Sequence, residues 1–141
     1  MSPRVWVYNT LLNHAPLQAL IGDRVFLKNT MSSSREDYPY IVYKLGYNAN
    51  ENFSEQLQIS RQFLQIFIHD FADYETASYD KIDEVIQVLK NLFFQASSPA
   101  DGVIAVSYVE TSQDLDDQTL STTMKYIRFI MTVKEVSDDG S

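Results

Sequence analysis

The sequence predicts an α+β domain: an antiparallel sheet of four strands, or slightly more, covered by one long helix and preceded by a helical segment. Three observations predict it. The segment from Tyr74 to Phe94 carries a wide apolar stripe at three- and four-residue steps, the period of a helix lying on a core. On either side of it stands a pair of β-rich segments joined by polar links, and such pairs read as antiparallel. The chain has 141 residues, 45% of them apolar, and no cysteine. Its length is that of a single domain, over residues 1–136, that builds its core without disulfides or thiolate–metal sites. One amphipathic helix on one sheet makes two layers.

The elements follow in order. Ser2-Pro3 is a helix start, because serine caps free N–H groups and proline fits the first helical position. Val5, Tyr8, Leu11 and Leu12 then form an apolar stripe. A second helical turn, Pro16 to Ile21, stops at Gly22. Arg24 to Leu27 is a short extended piece, and Asn29 to Asp37 is a polar loop with three consecutive serines. Tyr38 to Leu45 is β-rich, with Pro39 at the strand's first residues. Gly46 to Glu55 is polar and turn-like, with Phe53 its isolated apolar residue. Leu57 to Ile68 is the longest strand: Leu64, Ile66 and Ile68 point one way, Phe63, Gln65 and Phe67 the other.

Asp70 to Asp73 breaks the strand, and Asp73 caps the main helix. That helix presents Ile82, Val85, Ile86, Leu89, Leu92 and Phe93 on one side. Acidic residues come early in it and Lys90 late, which suits the helix dipole. Ser97 to Gly102 is a cluster of breakers. Val103 to Glu110 is a strand, Thr111 to Thr122 a polar linker, and Met124 to Val133 the last strand, with Ile127, Phe129, Met131 and Val133 on one face. Residues 137–141 read as a disordered acidic tail.

The chemistry in the sequence is sparse. The net charge is −8, so a grip on phosphate backbones, which rests on cations, is not expected. No apolar run approaches the ~18 residues of a membrane span, and the first residues lack the apolar stretch of a secretory signal. The two histidines, His14 and His69, end elements far apart in the chain and are read as ordinary polar positions. No glycine-flanked serine elbow or glycine-rich phosphate loop is present. Asp114, Asp116 and Asp117 resemble the start of a calcium loop, but its sixth position would be Thr119 and its twelfth Lys125. A lysine opposes a cation, so the run reads as a solvated acidic loop. No catalytic, cofactor or metal residue is therefore expected. The informative feature is an apolar surplus: with one helix on one sheet face, Phe63 and Phe67 stand on the other, with Tyr126, Ile130 or Tyr108 as further candidates, either as a protein contact or beneath the first helix and Trp6.

Several segments together carry a resemblance. They are Gly22-Asp23-Arg24-Val25-Phe26 after a short helix, Tyr38-Pro39-Tyr40-Ile41-Val42-Tyr43, and the Arg-bearing strand Arg61 to Ile68 leading to a long helix. Val109-Glu110-Thr111, Asp114-Leu115 and the closing Tyr126-Ile127-Arg128-Phe129 complete the set. In this order and spacing the chain resembles the tail terminator, or tail completion, proteins of long-tailed double-stranded DNA bacteriophages, over about residues 10 to 135. The resemblance implies a structural protein of the virion neck, assembled in the host cytoplasm. It implies a homohexameric ring that caps the tail tube, stops its growth and offers a face to the head connector or stopper. Double-stranded DNA and the tape-measure protein would pass through the lumen without specific binding, and no membrane or cofactor would take part. A neighbouring head-completion or stopper protein is the alternative, and a small ligand-binding or enzymatic domain a further one. On this reading sheet edges or the half-apolar face supply the ring contacts, through Phe63 and Phe67. The segments Gly46–Gln56 (Glu51, Phe53, Glu55) and Thr111–Thr122 (Asp114, Asp116, Asp117) are docking loops, and the acidic excess lines the lumen.

Overall fold

A computed structural model describes residues 2–27, 38–54, 59–71, 79–120 and 122–134, with the side chains of residues 47–54 excluded. The elements run α1 (Pro3–Leu12), α2 (Ala15–Ile21), β1 (Val25–Phe26), β2 (Tyr40–Ser54), β3 (Ile59–Phe71), α3 (Asp80–Phe93), β4 (Val103–Thr111), β5 (Leu115–Asp117) and β6 (Thr122–Lys134). The strands form one sheet in the order β1-β2-β3-β6-β4, with β5 also on β6. The expected four-stranded antiparallel sheet under one long helix is therefore wrong. The sheet has six strands, β1 pairs with β2 in parallel, and three short helices share the second layer.

Each departure has a physical origin. β1 is two residues long and β5 three, and both are held by backbone pairing, so neither leaves a run of alternating burial in the sequence. The turn-like stretch after Gly46 is the second half of β2, which continues along β3 through irregular register as far as Ser54↔Ile59. Pairing with a long neighbour overrides the poor strand propensity of its asparagines. The expected break at Asp70 is still strand, since Asp70 pairs with Thr123 and Phe71 with Thr122. The described main helix runs from Asp80, with Asp80 and Asp83 in its first turn and Lys90 in its last, and the expected start at Tyr74 lies outside the described residues. Residues 28–37, 55–58, 72–78 and 135–141 lie outside the described residues, and with them the serine loop, Glu55, the Asp73 cap and the acidic tail.

The core lies between the helices and one sheet face. Ile82, Val85, Ile86, Leu89 and Phe93 of α3 are buried, as their spacing predicts. They meet Leu64, Ile66 and Ile68 of β3 and Ile127, Phe129, Met131 and Val133 of β6, whose alternation is also as read from sequence. Helix α1 begins as expected, with Ser2 Oγ accepting the Val5 N–H at 3.2 Å. Of the expected stripe, Leu11 is buried and Leu12 packs on the core, while Val5 is 40% and Tyr8 39% exposed and Val7 takes their place inside. Apolar residues surround this helix, so periodicity did not single out a side, and packing chose Val7. Helix α2 adds Leu17 and Ile21 and ends at Gly22, whose φ of 62° disfavours any residue with a Cβ.

Candidate functional site

All three helices lie on the same side of the sheet. Val7, Leu11, Leu17 and Ile21 join α3 in one cluster, and Trp6 packs edge-on to Phe93 at 6.0 Å. The first helix therefore does not cover the opposite face, and among the described residues no helix packs on it.

The opposite face has two zones. In one, Tyr38, Tyr40 and Val42 are buried with Phe26, Phe67 and Phe71 around them. His69 belongs to this zone: its ring stacks on Tyr40 at 4.8 Å and its Nδ1 lies 2.8 Å from Thr122 Oγ1. Its Nε2 is buried without a hydrogen-bond partner, and burial pushes the pKa down to about 4, against a small upward pull from Asp117. The ring is thus neutral at physiological pH and belongs to packing.

The second zone is open and framed by cations. Register places Phe63 opposite Ile130, Gln65 opposite Arg128 and Phe67 opposite Tyr126. Arg128 stands 5.5 Å from the Phe63 ring centre and 5.7 Å from that of Tyr126, and pairs with Glu110 at 3.1 Å. Lys44 stands 5.5 Å from the Phe67 ring. Such contacts hold a guanidinium or ammonium over aromatic carbon while leaving its outer side in water. This face carries Lys44, Arg61, Arg128 and Lys134 against Glu110 and Asp117, so the acidic excess of the chain is not displayed on its described part.

The acids gather instead where α3 begins and β5 turns back. Lys125 Nζ sits 2.6 Å from Asp83 Oδ1 and 3.0 Å from Asp114 Oδ1, and the hydrogen bond to Asp83 raises its pKa despite partial burial. Tyr79 donates its hydroxyl to the Leu115 carbonyl at 2.7 Å; burial and the nearby Asp114 and Asp116 raise its pKa. Asp117 Oδ1 accepts the Leu120 N–H at 3.0 Å. The segment expected to be a free docking loop is therefore the end of β4, the strand β5 and a tight turn, tied to α3 by Lys125 and Tyr79.

The predicted interface residues thus fall in three places. Phe63 and Phe67 are half-buried on the uncovered face. Asp114, Asp116 and Asp117 are in the acidic corner, with Asp114 and Asp116 exposed. Glu51 and Phe53 are in β2, where only the backbone is described, and Glu55 is outside the described residues.

From the β4 side of the molecule, sequence reasoning offered Tyr108 as an exposed residue, but on the face away from the helix; its register opposite Phe129 puts it on the helix side. β4 ends the sheet, and Ile104, Tyr108 and Val109 on it are 41%, 49% and 40% exposed. Phe94, just past α3, is 73% exposed. Between α3 and β4 runs an open groove of about 540 Å³ lined by Lys90, Phe93, Phe94, Val106, Tyr108 and Phe129. Lys90 lies 4.7 Å from the Tyr108 ring at its rim. The signal was present: from Val103 to Val109 the strand has no charge and is apolar at both parities, unlike a strand with one wet face.

Among the described residues, no group of three or more His, Asp or Glu side chains is placed to hold a metal ion. No helix there is long and apolar enough to cross a membrane. No protein-family model matches the chain, and no curated protein does. Among solved structures, it is similar to a chain in the virion of a native gene transfer agent particle, with a TM-score of 0.73 and 12% identity. That match covers 95% of this chain and 96% of the other. The two share a fold across nearly their whole lengths.

Proposed function

We propose that this protein is a structural component of a virion-like particle, a tail terminator that forms a homohexameric ring on the end of the tail tube. There it stops tube growth and presents a surface to the head connector. The observation that carries this reading is the shared fold, end to end, with a chain of a gene transfer agent virion. The order of segments that resembles the phage tail terminators supports the finer assignment. The surfaces fit an assembly role: one sheet face without helices among the described residues, and a sheet edge with exposed apolar side chains. The protein acts through shape and self-association and makes or breaks no covalent bond. Two of its described cations are engaged in structure, Lys125 with two aspartates and Arg128 with Glu110 and two rings.

The test is genetic and structural. Particles made without the protein should accumulate full heads separate from tubes of uncontrolled length, and supplying it in trans should restore joining. Cryo-microscopy of the particle should then show its density as a six-fold ring between tube and head. Normal particles without it, or density elsewhere in the virion, would overturn the assignment.

A further inference from the structure

We infer that copies of this chain join edge to edge, β4 of one copy pairing with the outer edge of β2 in the next, so that their sheets run on as one. The inference rests on the reading of the protein as a self-assembling ring, and it names the contact.

Both halves of the contact are present in one chain. β4 lies beside β6 on one side; on the other, among the described residues, only Val103 is taken, by an isolated bridge to Ser98, and the edge from Ile104 onward faces no strand. On the far side of the sheet, β1 pairs only with Ile41 and Val42 of β2, so the outer edge from Tyr43 to Ser54 faces no described strand. Unpaired strand edges attract other strands, and proteins that stay apart blunt them with lysine, proline, short length or bulges, of which β4 has only the last. β4 spans Val103–Thr111 without lysine or proline, and its bulges at Ile104 and Val109 turn apolar side chains outward. It carries no charge before Glu110, although each copy carries −8, so this is where two copies meet with least repulsion.

Direction agrees as well. β2 is antiparallel to β3, β3 to β6 and β6 to β4, so β4 runs opposite to β2. Rotation about an axis along the strands preserves direction, and β4 therefore meets the neighbour's β2 antiparallel, the geometry that forms a regular ladder. The two patches differ, so the contact is heterologous and propagates into a ring rather than stopping at a pair. Neighbouring copies then also place Phe94 and the α3–β4 groove at the seam.

Because the chain has no cysteine, introduced thiols report the contact directly. Cross-strand neighbours must lie on one sheet face. Ser107 and Lys44 are both exposed on the face away from the helices, as is Gly46, around whose missing Cβ nothing lies within 4 Å. Protein carrying Ser107→Cys with Lys44→Cys or Gly46→Cys should, on oxidation, form a ladder of covalent multimers ending at the ring, both in solution at high concentration and in purified particles. Tyr108→Cys, on the opposite face, should not cross-link to Lys44→Cys. The double variant Ile104→Lys, Val109→Lys, with an unchanged melting curve, should weaken self-association at least about tenfold. Dimers from Ser107→Cys alone in equal yield would show β4 meeting β4 and overturn the proposal. So would the absence of cross-links in every setting, or a lysine variant that assembles normally. Particles that contain the protein without cross-links would refute the contact and leave the function standing. Cross-linked rings of a protein missing from particles would do the reverse.

Discussion

His69 shows how much one side chain is committed by its surroundings. Stacked on Tyr40 and 1% exposed, it has a pKa lowered from 6.5 to about 4 by burial. The unfolded chain takes up the proton first, so stability is full above pH 6.5 and falls as the pH drops toward 4. Over that window the loss amounts to roughly 3 kcal/mol. Urea titrations between pH 7 and pH 4.5 should show this slope in the wild type and lose most of it in His69→Phe; parallel curves would place the titration elsewhere. Lys125 makes a milder case. It is partly buried, but Asp83 and Asp114 are more than half exposed, so solvent screens both pairs. Lys125→Met should cost about 1 kcal/mol in the same assay. Phe67 and Phe63, paired in the sequence reading, separate here. Phe67 packs on the Tyr38–Tyr40–Val42 cluster, whereas Phe63 lies in the open zone under Arg128. Phe67→Asp should therefore lower the melting temperature, while Phe63→Asp should leave it unchanged within about 2–4 °C.

Elements that bury side chains in a regular rhythm could be read from the sequence. α3 is the best instance, since Ile82, Val85, Ile86, Leu89 and Phe93 all reach the core. Leu89 is fully buried between α3 and the sheet, and Leu89→Ala should cost about 2–5 kcal/mol of unfolding free energy, measured by denaturant titration. β3 and β6 were legible by alternation for the same reason. Elements held by backbone pairing were not. β1 has two residues, β5 is the triplet Leu115-Asp116-Asp117, and the far half of β2 is rich in asparagine, so none carries a period. The exposed part of the site was hidden for a related cause. Ile104, Tyr108 and Val109 look like core residues in the sequence, and only the sheet order reveals that their strand is last. Because β5 is bound to β6 and to Tyr79, excising residues 114–119 should lower the melting temperature as well as any docking; a shortened protein that melts normally would restore the free-loop reading.

At the scale of the whole molecule, charge opposes the proposed assembly. Six copies carry 6 × −8 = −48, and Asp83, Asp114 and Asp116 among the described acids lie near Lys125 and Tyr79 rather than on the sheet face away from the helices. Raising ionic strength from about 0.01 M to about 0.15 M shortens the screening length from ~30 Å to ~8 Å. Light scattering should accordingly find a larger ring fraction at the higher salt; the opposite trend would mean that opposite charges hold the copies together. The small strand β1 then takes on a meaning out of proportion to its size. By occupying Ile41 and Val42, it works as a stop that tells an arriving strand where to begin, at Tyr43. That starting point fixes the stagger between neighbours, and stagger together with strand number sets the bore of a closed sheet. Two residues would in this way gauge how wide a passage the collar leaves open.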